Sequence, residues 1–163
     1  MKGPKLVRID LYQPITNLVI KTDHRTLGIW ARDCAKRVLP YFEEKYPNDN
    51  RPRKALETLQ EWIDTGIFKM IVIRKASLDA HAAARNTNDN VARSAARSAG
   101  QAVATAHVPT HALGAAIYAA TAIRDATPET TKERDWQYQH LLKLKKTFGK
   151  NTKNLWRSQE KVK

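Results

Sequence analysis

Apolar residues recur at three- and four-residue steps early in the chain: Leu27, Trp30, Ala31, Cys34, Val38 and Phe42. That spacing puts them on one side of an α-helix. Thr22 or Asp23 can cap its start, Pro40 falls near its last turn, and Pro47 with the following NDN run ends it. A second helix is capped by Asn50 or Arg51 and carries Pro52 in its first turn, where a missing N–H costs nothing. Its predicted buried face is Ala55, Leu56, Leu59, Trp62 and Ile63, and Gly66 stops it. A third helix is predicted from about 68 to 86, opening on the apolar stretch MIVI and turning alanine-rich. The NTNDN segment at 86–90 reads as a turn that also caps the next helix. From 91 to 125 alanine dominates, the best helix former. Pro109 removes the bond to the Thr105 carbonyl and clashes with it, which predicts a kink or a break. Thr127, Pro128 and Glu129 start a last helix, with Trp136, Leu141, Leu144 and Phe148 as core candidates.

Ahead of all this, KLVRIDLY and TNLVIK alternate or are β-branched, separated by QPI. They predict a short hairpin or extended arm over 1–22, and Gly3, Pro4 and Pro14 argue against helix there. The pattern is thus all-α: a single-domain bundle of five to seven helices over 23–148, followed by a basic tail at 149–163. Small side chains let helices approach closely, so Gly100, Ala104, Gly114 and Ala115 are expected where the central helices cross. Trp30, Trp62, Leu113 and Tyr118 are the expected large anchors.

Composition changes little in that picture. A chain of 163 residues with 42% hydrophobic and 28% charged content has the make-up of one folded domain. The single cysteine, Cys34, excludes an internal disulfide, and its helical setting reads as a small buried hydrophobe rather than a nucleophile. No apolar run suggests a signal peptide or a membrane span, so the cytoplasm is the expected compartment, with no membrane partner. The net charge of +13 matters more for where it lies. From 143 onward there are eight basic residues against one acid, more than half of the excess. The rest of the chain is only moderately basic, so nucleic-acid binding through the tail is a reading that the charge allows without selecting it.

Candidate chemistry sits in two places. His107 and His111 are four apart around Pro109, and His81 lies on the preceding helix, four residues before Arg85. Two imidazoles one turn apart with a third from a neighbour can ligate zinc or a similar divalent metal. The segment reads HVPTH, however, and lacks the glutamate of a metalloprotease helix. Those groups could instead line a polar ligand pocket with Arg85 and Gln101, or be satisfied singly inside the bundle. The second place is Asp33, Arg37 and the DNRPRK run. Asp33 and Arg37 are placed to pair along one helix, and Arg51, Arg53 and Lys54 stand at a positive helix end suited to an anion. The plainer reading is that these arginines pair with Asp33, Glu43 or Glu44 and pin two helices together. Gly-rich phosphate loops, GxSxG and zinc-finger spacings are all missing. No catalytic residue is nominated, and the expectation is a protein that is not an enzyme and needs no cofactor.

The stretch WARDCAKRVLPYFEEKYPNDNRPRKALETLQEW at 30–62 resembles the opening of an immunity protein family of bacterial polymorphic toxin systems. ASLDAHAAAR at 76–85 and ARSAGQAVATAHVPTHALGAAIYAATA at 96–122 are similar to that family's second half. The resemblance spans about 23 to 125 and implies an all-α fold that binds a cognate toxin and blocks it. By similarity, the family's recurring polar positions fall here on Trp30, Asp33, Arg37, Arg51, Arg53, His81, Arg85, Gln101, His107 and His111. Toxin binding without catalysis is therefore the first expectation for function. A helical ligand- or metal-binding protein centred on His81, His107 and His111, with a possible enzymatic role, is the second. Nucleic-acid binding through the basic tail is the third. Small-residue faces would serve a homo-oligomer as readily as a core.

Overall fold

The computed structural model describes residues 3–149. Within them a 3-10 turn (Ile9–Tyr12) leads into seven helices: α1 (Gln13–Val19), α2 (His24–Glu43), α3 (Arg51–Thr65), α4 (Met70–Arg85), α5 (Asn90–Ala104), α6 (His111–Ala126) and α7 (Thr130–Phe148). No strand occurs among the described residues. The helices form two layers. α5 lies between α4 and α6 in one, and α2 lies between α3 and α7 in the other, with α1 against α7.

The elements follow from local chemistry. Asp23 caps α2, its carboxylate accepting from the Thr26 N–H at 3.0 Å. Leu27, Trp30, Ala31, Cys34, Val38 and Phe42 are all buried, as their spacing predicts. Gly66 ends α3 with φ 68°, a left-handed conformation that needs no Cβ, and its N–H bonds the Trp62 carbonyl at 2.8 Å. Asp89 caps α5 through the Ala92 N–H at 2.9 Å. Pro109 breaks the alanine-rich stretch outright, between the ends of α5 and α6.

The N-terminal residues depart from the hairpin expectation. Pro14, read as an argument against helix, occupies the first turn of α1, where its missing N–H has no partner to lose. Ile15 and Val19, one helical turn apart, are buried, and Thr16 Oγ1 donates to the Tyr12 carbonyl at 3.0 Å. A β-branched run thus became about two turns of amphipathic helix.

The core also differs from expectation in its anchors. Trp30 and Trp62 are buried, but Leu113 and Tyr118 are only partly so. Tyr12, Ile15, Leu27, Phe42, Leu59 and Leu141 fill the space instead. On α7 the buried stripe is Glu133, Gln137, Leu141 and Leu144, while Trp136 and Phe148 stay at the edge. Burying two polar residues is tolerable because both are bonded. Gln137 accepts from the Tyr12 hydroxyl at 2.9 Å and donates to the Ala116 carbonyl at 2.9 Å.

The glycines do not mark backbone crossings in the simple way expected. A Cβ at Gly28 would lie 2.7 Å from the Trp62 ring, so here the missing side chain lets α2 and α3 close on an indole. At Gly100 the space is taken by the His81 ring, and at Gly114 by the Gln101 amide, each a Cβ-to-atom approach of 2.7 Å. Both of those glycines therefore seat polar side chains of the neighbouring helix. No helix among the described residues is long and apolar enough to cross a membrane.

Candidate functional site

The first group of polar candidates is distributed between core and ion pairs. Trp30 is wholly buried, and its indole N–H donates to the Gln137 carbonyl at 2.9 Å. Asp33 and Arg37 do not pair with each other. Asp33 accepts from Arg32 at 2.9 Å and from His140 Nε2 at 2.8 Å. Arg37 reaches across to α7, donating through Nε and Nη2 to the buried Glu133 carboxylate at 2.8–3.1 Å. Its guanidinium also lies 3.8 Å over the Trp136 ring, which stacks on His140 at 4.7 Å. These contacts fasten α7 to α2. At the start of α3, Arg51 pairs with Asp49 at 2.7 Å and Arg53 with Glu43 at 2.5 Å. Arg53 thus joins α3 to α2 through Glu43, whereas Arg51 takes Asp49 of the preceding turn, a partner that the sequence reading did not name. The basic tail lies outside the described residues, apart from its first position.

The second group is brought partly together. His81 on α4 sits against Gly100, and its Nδ1 accepts from Arg97 Nη1 at 2.9 Å. His111 Nδ1 donates to Gln101 Oε1 at 2.8 Å. His81 lies close enough to Arg85 and His111 to feel their charge. His107, in the α5–α6 connection, is stacked on Phe68 with ring centres 5.9 Å apart, and its charge adds to burial in lowering the His111 pKa. Among the described residues no group of three or more His, Cys, Asp or Glu is arranged to hold an ion. Burial also pushes the Cys34 thiol well up, as suits an inert core residue.

The environment of His81 has a measurable consequence. Burial, then the charges of Arg97, Arg85 and His111, hold its pKa down to about 4. Burial lowers His24 and His111 as well. An imidazole in the unfolded chain titrates near about 6.5. Between those values the unfolded chain binds protons that the folded chain refuses, so stability is complete above the window and falls as pH drops through it. Urea unfolding is expected to show a lower midpoint at pH 5 than at pH 7, with the gap narrowed in His81→Gln. Equal midpoints would contradict a neutral, buried His81.

The most prominent surface feature was not among the sequence candidates. Ile67, Phe68, Met70, Ile71, Val72, Leu78 and Val108 are all exposed large hydrophobics, gathered where the α3–α4 connection, the first turns of α4 and the α5–α6 connection meet. Ile71 is 84% exposed. Beside them runs a groove of about 250 Å³ lined by Met70, Ile73, Arg74, Ser77, Leu78, Ala104 and His107. Lys69, Arg74 and Lys75 stand exposed around it. Among the described residues only Lys75 of the three is ion-paired, with Asp79 at 2.5 Å. The signal was available in IFKMIVI: a helix cannot turn four consecutive apolar residues inward, and of MIVI only Ile73 is buried. Arg93 and Arg97, which share the face with His81 and Gln101, were also missed because charged residues in an alanine-rich helix read as its solvated side.

With this geometry in view, the model of one protein family, the Imm-5 like putative immunity protein, matches residues 17–144. The match includes α2 to α6, the apolar corner and most of α7. No curated protein and no solved structure matches the chain significantly.

Proposed function

We infer from the fact that the chain belongs to the Imm-5 like immunity protein family that it binds a cognate bacterial protein toxin and neutralises it by covering its surface, without catalysis. The observation that supports this most is the apolar corner at the start of α4. Single exposed hydrophobics are ordinary, but seven of them on the α3–α4 connection, α4 and the α5–α6 connection are what a protein-docking surface offers. Its shape fits that use: an apolar centre with a groove for an inserted side chain and a charged rim. The rim is cationic, and the whole chain carries +13. A partner face with apolar anchors surrounded by Asp and Glu is therefore the complement, and the charge would speed the encounter more than it would strengthen the final complex.

Co-expression tests the reading. The full chain, produced together with the toxin domain that it is proposed to neutralise, should restore growth to a susceptible host. A chain that accumulates in soluble form and leaves the toxin fully active would refute it. Sedimentation separates the toxin from the other occupant that such a corner could take. The free chain should sediment as an 18.5 kDa monomer. A dimer dispersed by Ile71→Asp would assign the corner to a second copy of the chain instead.

A further inference from the structure

From Ala92 to the end of α5 one stripe reaches solvent: Arg93, Arg97, Gln101 and Ala104, spaced four, four and three residues apart. The remaining positions from Ala92 to Val103 are buried. The central helix of its layer therefore offers two arginines and an amide along the floor of a shallow channel. His81 and Arg85 stand on the α4 wall, His111 and Tyr118 on the α6 wall. No Asp or Glu occurs from 90 to 124, and the two acids that flank this stretch, Asp89 at the α5 cap and Asp125 in the last turn of α6, pair with Lys45 and Arg124. The one acid of α4, Asp79, is turned toward Lys75 and Arg51 on the α3 side.

The arginines are held without ion pairs among the described residues. Arg97 donates to an imidazole, at 2.9 Å from His81 Nδ1. Arg93 Nη2 donates to the Thr87 carbonyl at 2.7 Å, while its Nε is buried with no partner. Gly3 closes the Arg93 end, where a Cβ on it would lie 3.7 Å from Arg93 Nη1. Burial lowers the Arg97 pKa, Tyr118 opposes that, and Arg85 and Arg93 lower it further. Guanidinium groups gathered at half-buried positions repel one another unless an anion lies among them. His81, kept neutral, acts as a positioning residue: its Nδ1 fixes one side of Arg97 and leaves the other free.

We propose that this channel binds a small phosphate-bearing dianion, with Arg93 and Arg97 as its floor contacts and Arg85 closing over it from α4. A phosphoryl group matches the site because it accepts paired N–H bonds from planar guanidinium groups and carries about two charges. His81 and Arg85 continue the side of α4 that carries Ile71 and Leu78, about three and four turns beyond Ile71, and because the test below uses the chain without any toxin, its outcome is independent of the toxin reading.

The test is thermal denaturation and titration calorimetry of the full chain with inorganic phosphate, against chloride at equal ionic strength. The expected result is a saturable rise in Tm with phosphate only, and at least a tenfold loss of affinity in Arg97→Gln. Without phosphate, Arg97→Gln should melt no lower than the parent, because it relieves repulsion. Should that variant not fold, the exposed Arg85→Gln carries the same expected loss. Glycerol phosphate is the second arm: equal binding assigns free phosphate as a sufficient ligand, and tighter binding assigns an organic ester. Equal effects of phosphate and chloride, or unchanged phosphate affinity in the arginine variants, would overturn the proposal. So would salt-dependent binding of an oligonucleotide where phosphate itself does not saturate, because that would make nucleic acid the ligand.

Discussion

Ile71→Asp is expected to weaken the complex with the cognate toxin by about 100-fold, or about 3 kcal/mol, while leaving the fold intact. Ile71 is the most exposed large hydrophobic in the described chain, at 84%. It lies on the same side of α4 as Arg74 and Leu78, one and two turns further on. A residue so exposed contributes little to folding, so Tm should move by no more than a degree or two. In a docked interface the change has two costs. The apolar anchor is lost, and a carboxylate is desolvated against a partner face whose complementarity to a basic rim makes it acidic. Calorimetry with the purified toxin domain reads both the affinity and the integrity of the variant. Unchanged affinity with unchanged Tm would place docking elsewhere on the molecule.

Trp30→Ala is expected to act in the opposite sense, costing about 4 kcal/mol of stability. Trp30 heads the largest fully buried side chains. Its removal leaves a cavity at the centre of α2 and strips the Gln137 carbonyl of its donor at 2.9 Å. Gln137 is itself bonded to Tyr12 and to the α6 backbone, so the loss loosens α7, α6 and the N-terminal turn together. Against a total stability of about 5–15 kcal/mol for a domain this size, the variant would be marginal at 37 °C. Urea unfolding measures it. A cost below about 1.5 kcal/mol would mean that the indole is not the keystone its burial indicates. Trp30 is one of the positions that the family resemblance singled out, and this result would assign it to the core rather than to a site. The fraction of Trp30→Ala that remains folded should still bind the toxin with parental affinity.

Much of the fold could be read from the chain because its helices are marked by strong local chemistry. The steps from Leu27 to Phe42, the Asp23 cap, Gly66 with its positive φ and the break at Pro109 each have one dominant cause, and each appears as read. The N-terminal residues failed for the converse reason. In 9–19 the β-branched pattern favoured strand, but the only partners available are helices, and Pro14 is as welcome in a first helical turn as in a loop. Glu133 and Gln137 were illegible as core because burial of such residues depends on Arg37 and Tyr12, which are 96 and 125 residues away.

The polar candidates do not stay together as one group. His81 meets Arg97 of α5 and His111 bonds Gln101, whereas Arg51 pairs with Asp49, Arg53 with Glu43 of α2, and His107 turns to Phe68. What periodicity could not supply was which half of an amphipathic helix lacks a neighbour. α4 carries its apolar residues on more of its circumference than α3 and α5 can cover, and only the packed structure shows where the excess emerges.

Amide hydrogen exchange of the full chain, free and saturated with the cognate toxin domain, tests the central claim most directly. The account predicts slowed exchange in the first turns of α4 and in the segments 66–69 and 104–108, with α7 and the start of α3 unchanged. A stable complex whose protection falls on α7 or on α3 alone, with 66–78 exchanging as in the free chain, would contradict it.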